Sequence, residues 1–533
     1  MFSHIFWIKG IFLIILHSMT TIEWTYIIGK SMPYSPTEGQ AAAMTRLGQF
    51  MESVDMSRTT DDGRRSVMVL RGSAGTGKTT LARAFVHAVS STRYKVVLLA
   101  PTGRAAKVFS SGSGRTAFTI HRKIYRQQSY LSERFVLNDN LHKDTLFIVD
   151  EASMINATMQ GGAETFGSGN LLDDLIRYVF SGRHCSLVLV GDTAQLPPVG
   201  CDNAPALLSS YLSGYGMEVF DYDLLEVMRQ SQGSGILTNA VALRSLLLND
   251  TISGVPKMRF SGFADISVCH GSDLIEQLAY SYSHAGTDET IVITRSNKRA
   301  NIYNMGIRNQ VLGCEEELSA NDQIMIVKNN YYWTEHSSSS NILTQKGFHS
   351  HMLTQKGFHS HMLSQQDSSS DTPAFLANGD RGVIRRVRNH RSLYGFHFAD
   401  ALIEFPDYDG YELTATLLLD TLHGEAPALT SEEHSALFSA VMEDYADIPT
   451  KAERYKRLRN DVYFNALQIK YAYAVTCHKA QGGQWEHVYV DQGYITEDML
   501  SPSYIHWLYT AFTRATKHLY LVNWPKEQVC GED

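Results

Sequence analysis

SVMVLRGSAGTGKTTLARAFVHAV, residues 66 to 89, carries three signals in a row. SVMVL is a short, uninterrupted apolar run rich in β-branched residues, and it reads as a buried strand. Gly72 to Thr79 then satisfies G-x-x-x-x-G-K-[ST], and KTTLARAFVHAV continues with helical spacing. A glycine-rich loop between a strand and a helix lets backbone N–H groups wrap phosphate oxygens, and the helix N-terminus adds a favourable dipole. Gly72, Ser73, Ala74, Gly75, Thr76, Gly77, Lys78, Thr79 and Thr80 are therefore the candidate nucleotide-binding residues. Lys78 can neutralise β and γ oxygens, and the Thr79 hydroxyl can reach Mg²⁺.

Outward from this loop the pattern repeats. VVLLA (96–100), TLFIVD (145–150) and SLVLVG (186–191) are further short apolar runs with helical spacing between them. Such alternation indicates an α/β protein whose parallel sheet is covered on both faces. A second series begins at TIVITR (290–295) and resumes at YAYAVT (471–476), HVYV (487–490) and KHLYLVN (517–523). The interruption reads as an insertion into a second α/β domain. FLANGDRGVIRRV and LYGFHFADALIEF within it suggest a small β-barrel.

The insertion also holds LTQKGFHSHM twice in succession (343–352 and 353–362), flanked by serine-rich sequence. Its histidines at 349, 351, 359 and 361 could bind a metal, but a tandem copy in such a setting reads as a solvated, disordered loop.

Composition bounds the rest. With 533 residues, several domains are expected; 44% apolar residues can build sizeable cores. The net charge of −8 excludes a wholesale nucleic-acid coat, so a nucleic-acid site must be a local groove. Residues 101–130 supply one, with Arg104, Lys107, Arg115, Arg122, Lys123 and Arg126 and no carboxylate. A solvated helix face is the plainer reading of that run. Arg381, Arg385, Arg386 and Arg388 form a second basic cluster. Six dispersed cysteines without a C-x-x-C pair fit a reduced, cytoplasmic protein. The apolar run Ile11–Leu16 is too short to span a bilayer, so no stable membrane association is expected. A signal peptide or anchor is the alternative; with Met19 and Met32 as other starts, residues 1–31 are set aside as a non-core extension.

Asp150-Glu151 closes the strand LFIV. At a strand's C-terminal edge, Asp150 can hold Mg²⁺ through water while Glu151 orients and deprotonates an attacking water. Gln195 in GDTAQLPPVG (191–200) follows the next strand, where a neutral amide can sense a γ-phosphate. Arg229 in LLEVMRQS and Arg514 in LYTAFTRATKHLYLV are candidate second-domain donors to the transferring phosphoryl group. Taken singly, each arginine reads rather as a surface ion pair, and the surrounding words decide the matter.

In order, these words resemble the superfamily 1B helicases, most closely the RecD-like and Dda-like 5′→3′ branch. SPTEGQ with Gln40 resembles the adenine-reading Q motif, GSAGTGKTT motif I, APTGRAAK (100–107) Ia and FTIHR (118–122) Ib. VDEAS (149–153) resembles motif II, GDTAQLPP III and VMRQ (227–230) IV. AVTCHKAQGGQW (474–485) resembles V and YTAFTRAT (509–516) VI. The resemblance implies two RecA-like P-loop domains with ATP and Mg²⁺ between them, a small 1B hairpin and an inserted SH3-like barrel, 2B. It implies ATP-dependent unwinding by a motor tracking single-stranded DNA, with repair or nuclease proteins as possible partners. It puts Pro101, Thr102, Arg104, Thr119, His121, Thr476 and His478 on the strand-binding surface.

The expected domains are 1A at 32–205 with its hairpin near 125–144, and 2A at 206–330 and 456–525. The barrel is expected at 331–455 with a loop at 334–372, and a tail at 526–533. Tyr130 and Phe135 are candidates for the wedge that splits a duplex, unless they pack on their own hairpin. An RNA-directed relative, or an ATP switch that is not a motor, are the competing readings.

Overall fold

The computed structural model describes residues 18–61, 63–127, 135–158, 166–226, 233–248, 254–334, 376–496 and 499–530. Arg229, Tyr130, the run 11–16 and the duplicated segment lie outside these. The chain forms two compact units, residues 1–295 with 475–533, and residues 296–474. Among the described residues, no helix is long and apolar enough to cross a membrane.

The first unit begins with β1 (Ser66–Gly72), β2 (Lys95–Ala100) and β3 (Ala117–Thr119). A small antiparallel hairpin follows, β4 (Tyr125–Gln127) and β5 (Phe135–Leu137). Then come β6 (Lys143–Val149), β7 (Arg183–Gly191) and β8 (Glu218–Leu224). The main sheet has the order β3-β2-β6-β7-β1-β8, parallel throughout its described pairs. Successive side chains point to opposite faces, so each apolar strand feeds two cores. Met68, Leu70, Ile148 and Val190 pack under the helices Glu38–Thr60 and Lys78–Ser90. Val67, Val69, Val149 and Leu189 pack on the other face, against the helix Leu171–Ser181.

The second sheet uses β9 (Ile266–Cys269) and β10 (Thr290–Thr294). The chain then leaves for the second unit, a closed barrel of β11 (Gln323–Ile326), β12 (Arg381–Leu393), β13 (Phe396–Phe405), β14 (Tyr411–Leu418) and β15 (Leu467–Tyr471). It returns through β16 (Ala474–Thr476), β17 (Trp485–Asp491) and β18 (Ala515–Val522), giving the order β16-β10-β17-β18-β9. Two parallel α/β sheets of RecA-like type and an inserted closed barrel are the fold class expected from the sequence.

The element bounds differ from expectation in three places. Residues 18–31, set aside as non-core, contain the helix Thr21–Lys30, whose Trp24 and Ile28 are fully buried in the first core. Trp24 Nε1 donates to the buried Asp55 carboxylate (3.3 Å), which also takes the Tyr94 hydroxyl (2.5 Å) and pairs with Arg93. β8 pairs with β1 along its whole length, so residues up to 224 belong to the first sheet. The barrel takes strands at 323–326 and 467–471, from segments assigned to 2A; YAYAVT is thus split between β15 and β16.

Within the barrel unit the Arg308–Asp322 ion pair (2.8 Å) is almost wholly buried, and Tyr473 donates to the same carboxylate (2.9 Å). The arginine cluster is not one surface: Arg381 is buried, Arg385 pairs with Glu404 (2.7 Å), and Arg386 and Arg388 are exposed.

Candidate active site

The loop between β1 and the helix Lys78–Ser90 turns through two left-handed glycines, Gly75 (φ 77°) and Gly77 (φ 75°). Both conformations are strained for any residue with a Cβ. Gly72 is needed for space: a Cβ there would lie 2.9 Å from Thr76 Oγ1 and 3.1 Å from Leu224 Cβ. Thr76 in turn donates to the Ser73 carbonyl (2.8 Å) and closes the turn.

The loop opens onto a cleft of about 400 Å³. Ser73, Ala74, Gly75, Gly77, Lys78, Thr79, Glu151, Asp192 and Gln195 line it from the first sheet's side. Ser234, Asp265, Gln484, Thr513 and Arg514 line it from the second sheet's side. Lys78, Thr79, Glu151, Gln195 and Arg514, read separately from the sequence, thus share one cavity. Gly72, Thr76, Thr80 and Asp150 are not among its lining residues, and Arg229 is outside the described residues.

Asp150 and Glu151 sit at the end of β6, next to β7, which delivers Asp192 and Gln195. Burial and the neighbouring Glu151 push the Asp150 carboxyl up, while Lys78 works against them. Burial likewise raises Asp192, opposed by Lys78 and the Tyr509 hydroxyl. Glu151 is held left-handed (φ 53°), an uncommon state for a residue with a side chain. Its Oε2 and the Oε1 of Gln195 are buried without a hydrogen-bond partner among the described residues. The site therefore gathers carboxylates and unmet acceptor oxygens, which suits a hard cation. Thr79 and Asp150 offer oxygen donors of the kind Mg²⁺ takes when phosphate and water complete its shell. No cluster of three or more His, Cys, Asp or Glu that could hold a metal occurs among the described residues.

Gln40, the expected adenine reader, stands beside the phosphate loop. It is fully buried, its Oε1 accepts the Thr37 N–H (3.1 Å), and its Nε2 donates to the Thr76 carbonyl (3.1 Å). Both amide ends are thus engaged in capping a helix and buttressing the phosphate loop.

Arg514 is 2% exposed; its guanidinium donates to the carbonyls of Thr510 (3.1 Å) and Gly483 (3.2 Å) and to Thr513 Oγ1 (3.1 Å). Residues the motif reading had not singled out join the two sheets around it. Arg244 Nη1 donates to Ser73 Oγ (3.0 Å). Tyr509 donates to Asp192 Oδ2 (2.6 Å) and accepts the Ala74 N–H (2.8 Å). Leu196 N–H donates to Thr510 Oγ1 (2.7 Å), and Gln481 Nε2 to the Leu196 carbonyl (2.7 Å). Arg244 had one signal: it is the charged residue in a helix otherwise of apolar and small polar residues, GILTNAVALRSLLL. Tyr509 had none beyond its place in YTAFTRAT.

The residues assigned to a DNA strand are dispersed in role. Arg104 donates to the Gln484 carbonyl (2.6 Å) and lies over the Trp485 ring at 4.3 Å, so it bridges to the second sheet. Thr102 and Thr119 accept N–H groups of Ala105 (3.2 Å) and Arg122 (3.3 Å) as helix caps. His121 packs on Phe166 (5.0 Å), and desolvation lowers it to about 4. Pro101 and Thr476 are half-buried; His478 is exposed. Phe135, on the hairpin strand β5, packs at a tilt against Phe166 (4.8 Å), which lies beyond β6 in the chain.

Two family models match: the AAA domain over residues 54–246 and the UvrD-like helicase C-terminal domain over 471–522. Over 134 residues the chain is 38% identical to the ATP-dependent RecD2 DNA helicase of Deinococcus radiodurans, covering 25% of this chain and 16% of that protein. Over 170 residues it is 29% identical to the ATP-dependent DNA helicase dda of Enterobacteria phage T4, covering 31% of this chain and 35% of that protein. The chain thus spans well under two thirds of the curated relatives it matches. A solved Pif1 helicase from Bacteroides, in complex with ADP-AlF3 and ssDNA, aligns over 91% of this chain and 95% of that one. Its identity is 14% and its TM-score 0.39. The two family matches fall on the segments whose motifs carry the resemblance to superfamily 1B helicases.

Proposed function

We propose, for a chain that resembles the RecD-like and Dda-like helicases of superfamily 1B, that it hydrolyses ATP to move 5′→3′ along single-stranded DNA and unwind duplex. The supporting observation is the single cleft in which Lys78, Glu151 and Gln195 face Arg514. In this reading the phosphate loop and Lys78 bind the triphosphate. Thr79 and Asp150 would hold Mg²⁺, which when bound offsets phosphate charge. Glu151 accepts a proton from the water that attacks the γ-phosphorus, and the bond to the β–γ bridging oxygen breaks. Arg514, with Arg229, stabilises the charge developing on the transferred group. Gln195 reports that state to the strand-binding surface. Opening and closing of the two RecA-like cores then alternates the grip on DNA.

Repair or nuclease partners and a role at single-strand/duplex junctions belong to the same reading. So does a cytoplasmic, reducing location, which suits cysteines that are all unpaired. The test is unwinding of duplexes with a 5′ or a 3′ single-stranded tail, together with ATPase assays on matched DNA and RNA oligonucleotides. Unwinding from the 5′-tailed duplex and stimulation by DNA are expected. Product only from the 3′-tailed duplex would overturn the polarity, preference for RNA the substrate, and indifference to both the motor itself.

A further inference from the structure

The helix Pro502–Phe512 places His506, Tyr509 and Thr510 at spacings of three and four, hence on one face. All three contact the loops of the first RecA-like core. His506 Nδ1 donates to the Ala194 carbonyl (2.9 Å), and Thr510 Oγ1 accepts the Leu196 N–H (2.7 Å). Between them Tyr509 reaches further: its hydroxyl accepts the Ala74 N–H of the phosphate loop and donates to Asp192. One oxygen thus joins the loop that grips phosphate to the loop that carries Gln195. The next turn of the same chain carries Arg514.

The surroundings make that oxygen consequential. Tyr509 is 1% exposed and Asp192 is 3% exposed, so neither water nor a surface group can replace the hydroxyl cheaply. Asp192 Oδ1 also accepts the Ala194 N–H (3.0 Å), which fixes the turn one residue before Gln195. A shift of the helix must therefore pull both on Ala74 and, through Asp192, on the backbone that presents Gln195.

We propose that Tyr509 is a positioning residue for ATP turnover, tying the phosphate loop to Asp192 so that movement of the second core resets both loops together. It touches no reacting atom; it acts through Ala74 and Asp192. Removing the hydroxyl leaves each loop able to bind but no longer moved in concert. Nucleotide affinity then survives while the response of turnover to DNA is lost.

The inference rests on the ATPase being stimulated by single-stranded DNA, so the parent protein is measured first, with and without a dT oligonucleotide. No stimulation in the parent would remove the proposed function itself. Given stimulation, Tyr509→Phe keeps the ring and should bind a fluorescent ATP analogue within about threefold of the parent, while DNA-stimulated kcat falls about tenfold. Asp192→Asn should lower stimulated kcat similarly, and the double variant should be no worse than the more affected single one. Stimulated kcat within twofold of the parent in Tyr509→Phe, a loss of nucleotide binding that accounts for the fall, or additive losses in the double variant would each overturn the proposal.

Discussion

Lys78 and Glu151 divide the labour of the cleft, and the division is measurable. Lys78→Ala removes the positive charge beside the triphosphate, so turnover should fall to background with nucleotide binding weakened. Glu151→Gln keeps the shape but cannot take a proton; nucleotide should still bind while hydrolysis falls by about 10²-fold or more. Equal turnover in either variant, by steady-state phosphate release, would contradict these roles. These residues were legible because G-x-x-x-x-G-K-T and Asp-Glu carry their chemistry in type and spacing. Tyr509 and Arg244 were not, because their function lies in what they reach across the fold. Gln40 shows the opposite limit: the resemblance implied a nucleotide contact, and the same residue closes a capping box, Thr37-x-x-Gln40, that only the fold reveals.

A second residue-scale outcome concerns pH. Burial pushes the Asp380 carboxyl up to about 7, partly offset by the Ala377 N–H and the Tyr408 hydroxyl, with Asp407 adding to the rise. An unfolded carboxyl loses its proton near pH ~4. Between that pH and about 7 the folded chain therefore holds the extra proton, and stability falls as pH rises through this window. Asp380→Asn mimics the protonated form and should flatten the decline. Urea midpoints at pH 5 and pH 8 test it; the same slope in both proteins would rule Asp380 out as the cause.

At the scale of elements, the helix Thr21–Lys30 is the instructive case. Its N-terminal signal was present, since Thr20 and Glu23 form a capping box. The apolar residues before it drew attention to targeting instead. Whether such a segment docks depends on Trp24 finding Asp55, Tyr94 and Leu47, which lie far along the chain. Trp24→Ala should cost about 3–5 kcal/mol, measured by chemical denaturation. A loss under 1 kcal/mol would mean the helix is not part of the working core. The barrel shows why bounds were harder than class. β11 is only QIMI, and β15 abuts β16 with two residues between them, so no composition change marks the crossing. The buried Arg308–Asp322 pair fixes β11 against the preceding helix; Asp322→Ala should cost about 3–5 kcal/mol by leaving Arg308 uncompensated. A loss under 1 kcal/mol by denaturation would show that water reaches the guanidinium.

For the molecule as a whole, two parallel sheets and an inserted barrel could be read from strand order because continuous apolar strands survive translation into buried ones almost residue for residue. β1, β6 and β10 are buried along most of their length. What joins the sheets was hidden, because it consists of single hydrogen bonds made by side chains distant in the chain: Tyr509 to the Ala74 N–H, Arg244 to the Ser73 hydroxyl, Gln481 to the Leu196 carbonyl. These bonds make the cleft a property of both cores together. Arg514 is the member of the second core that the phosphoryl-transfer reading needs most. The decisive measurement is therefore DNA-stimulated ATP hydrolysis by Arg514→Ala beside direct nucleotide binding. The account predicts binding close to the parent's and a fall in kcat of about 10³-fold; hydrolysis at the parent's rate would contradict it.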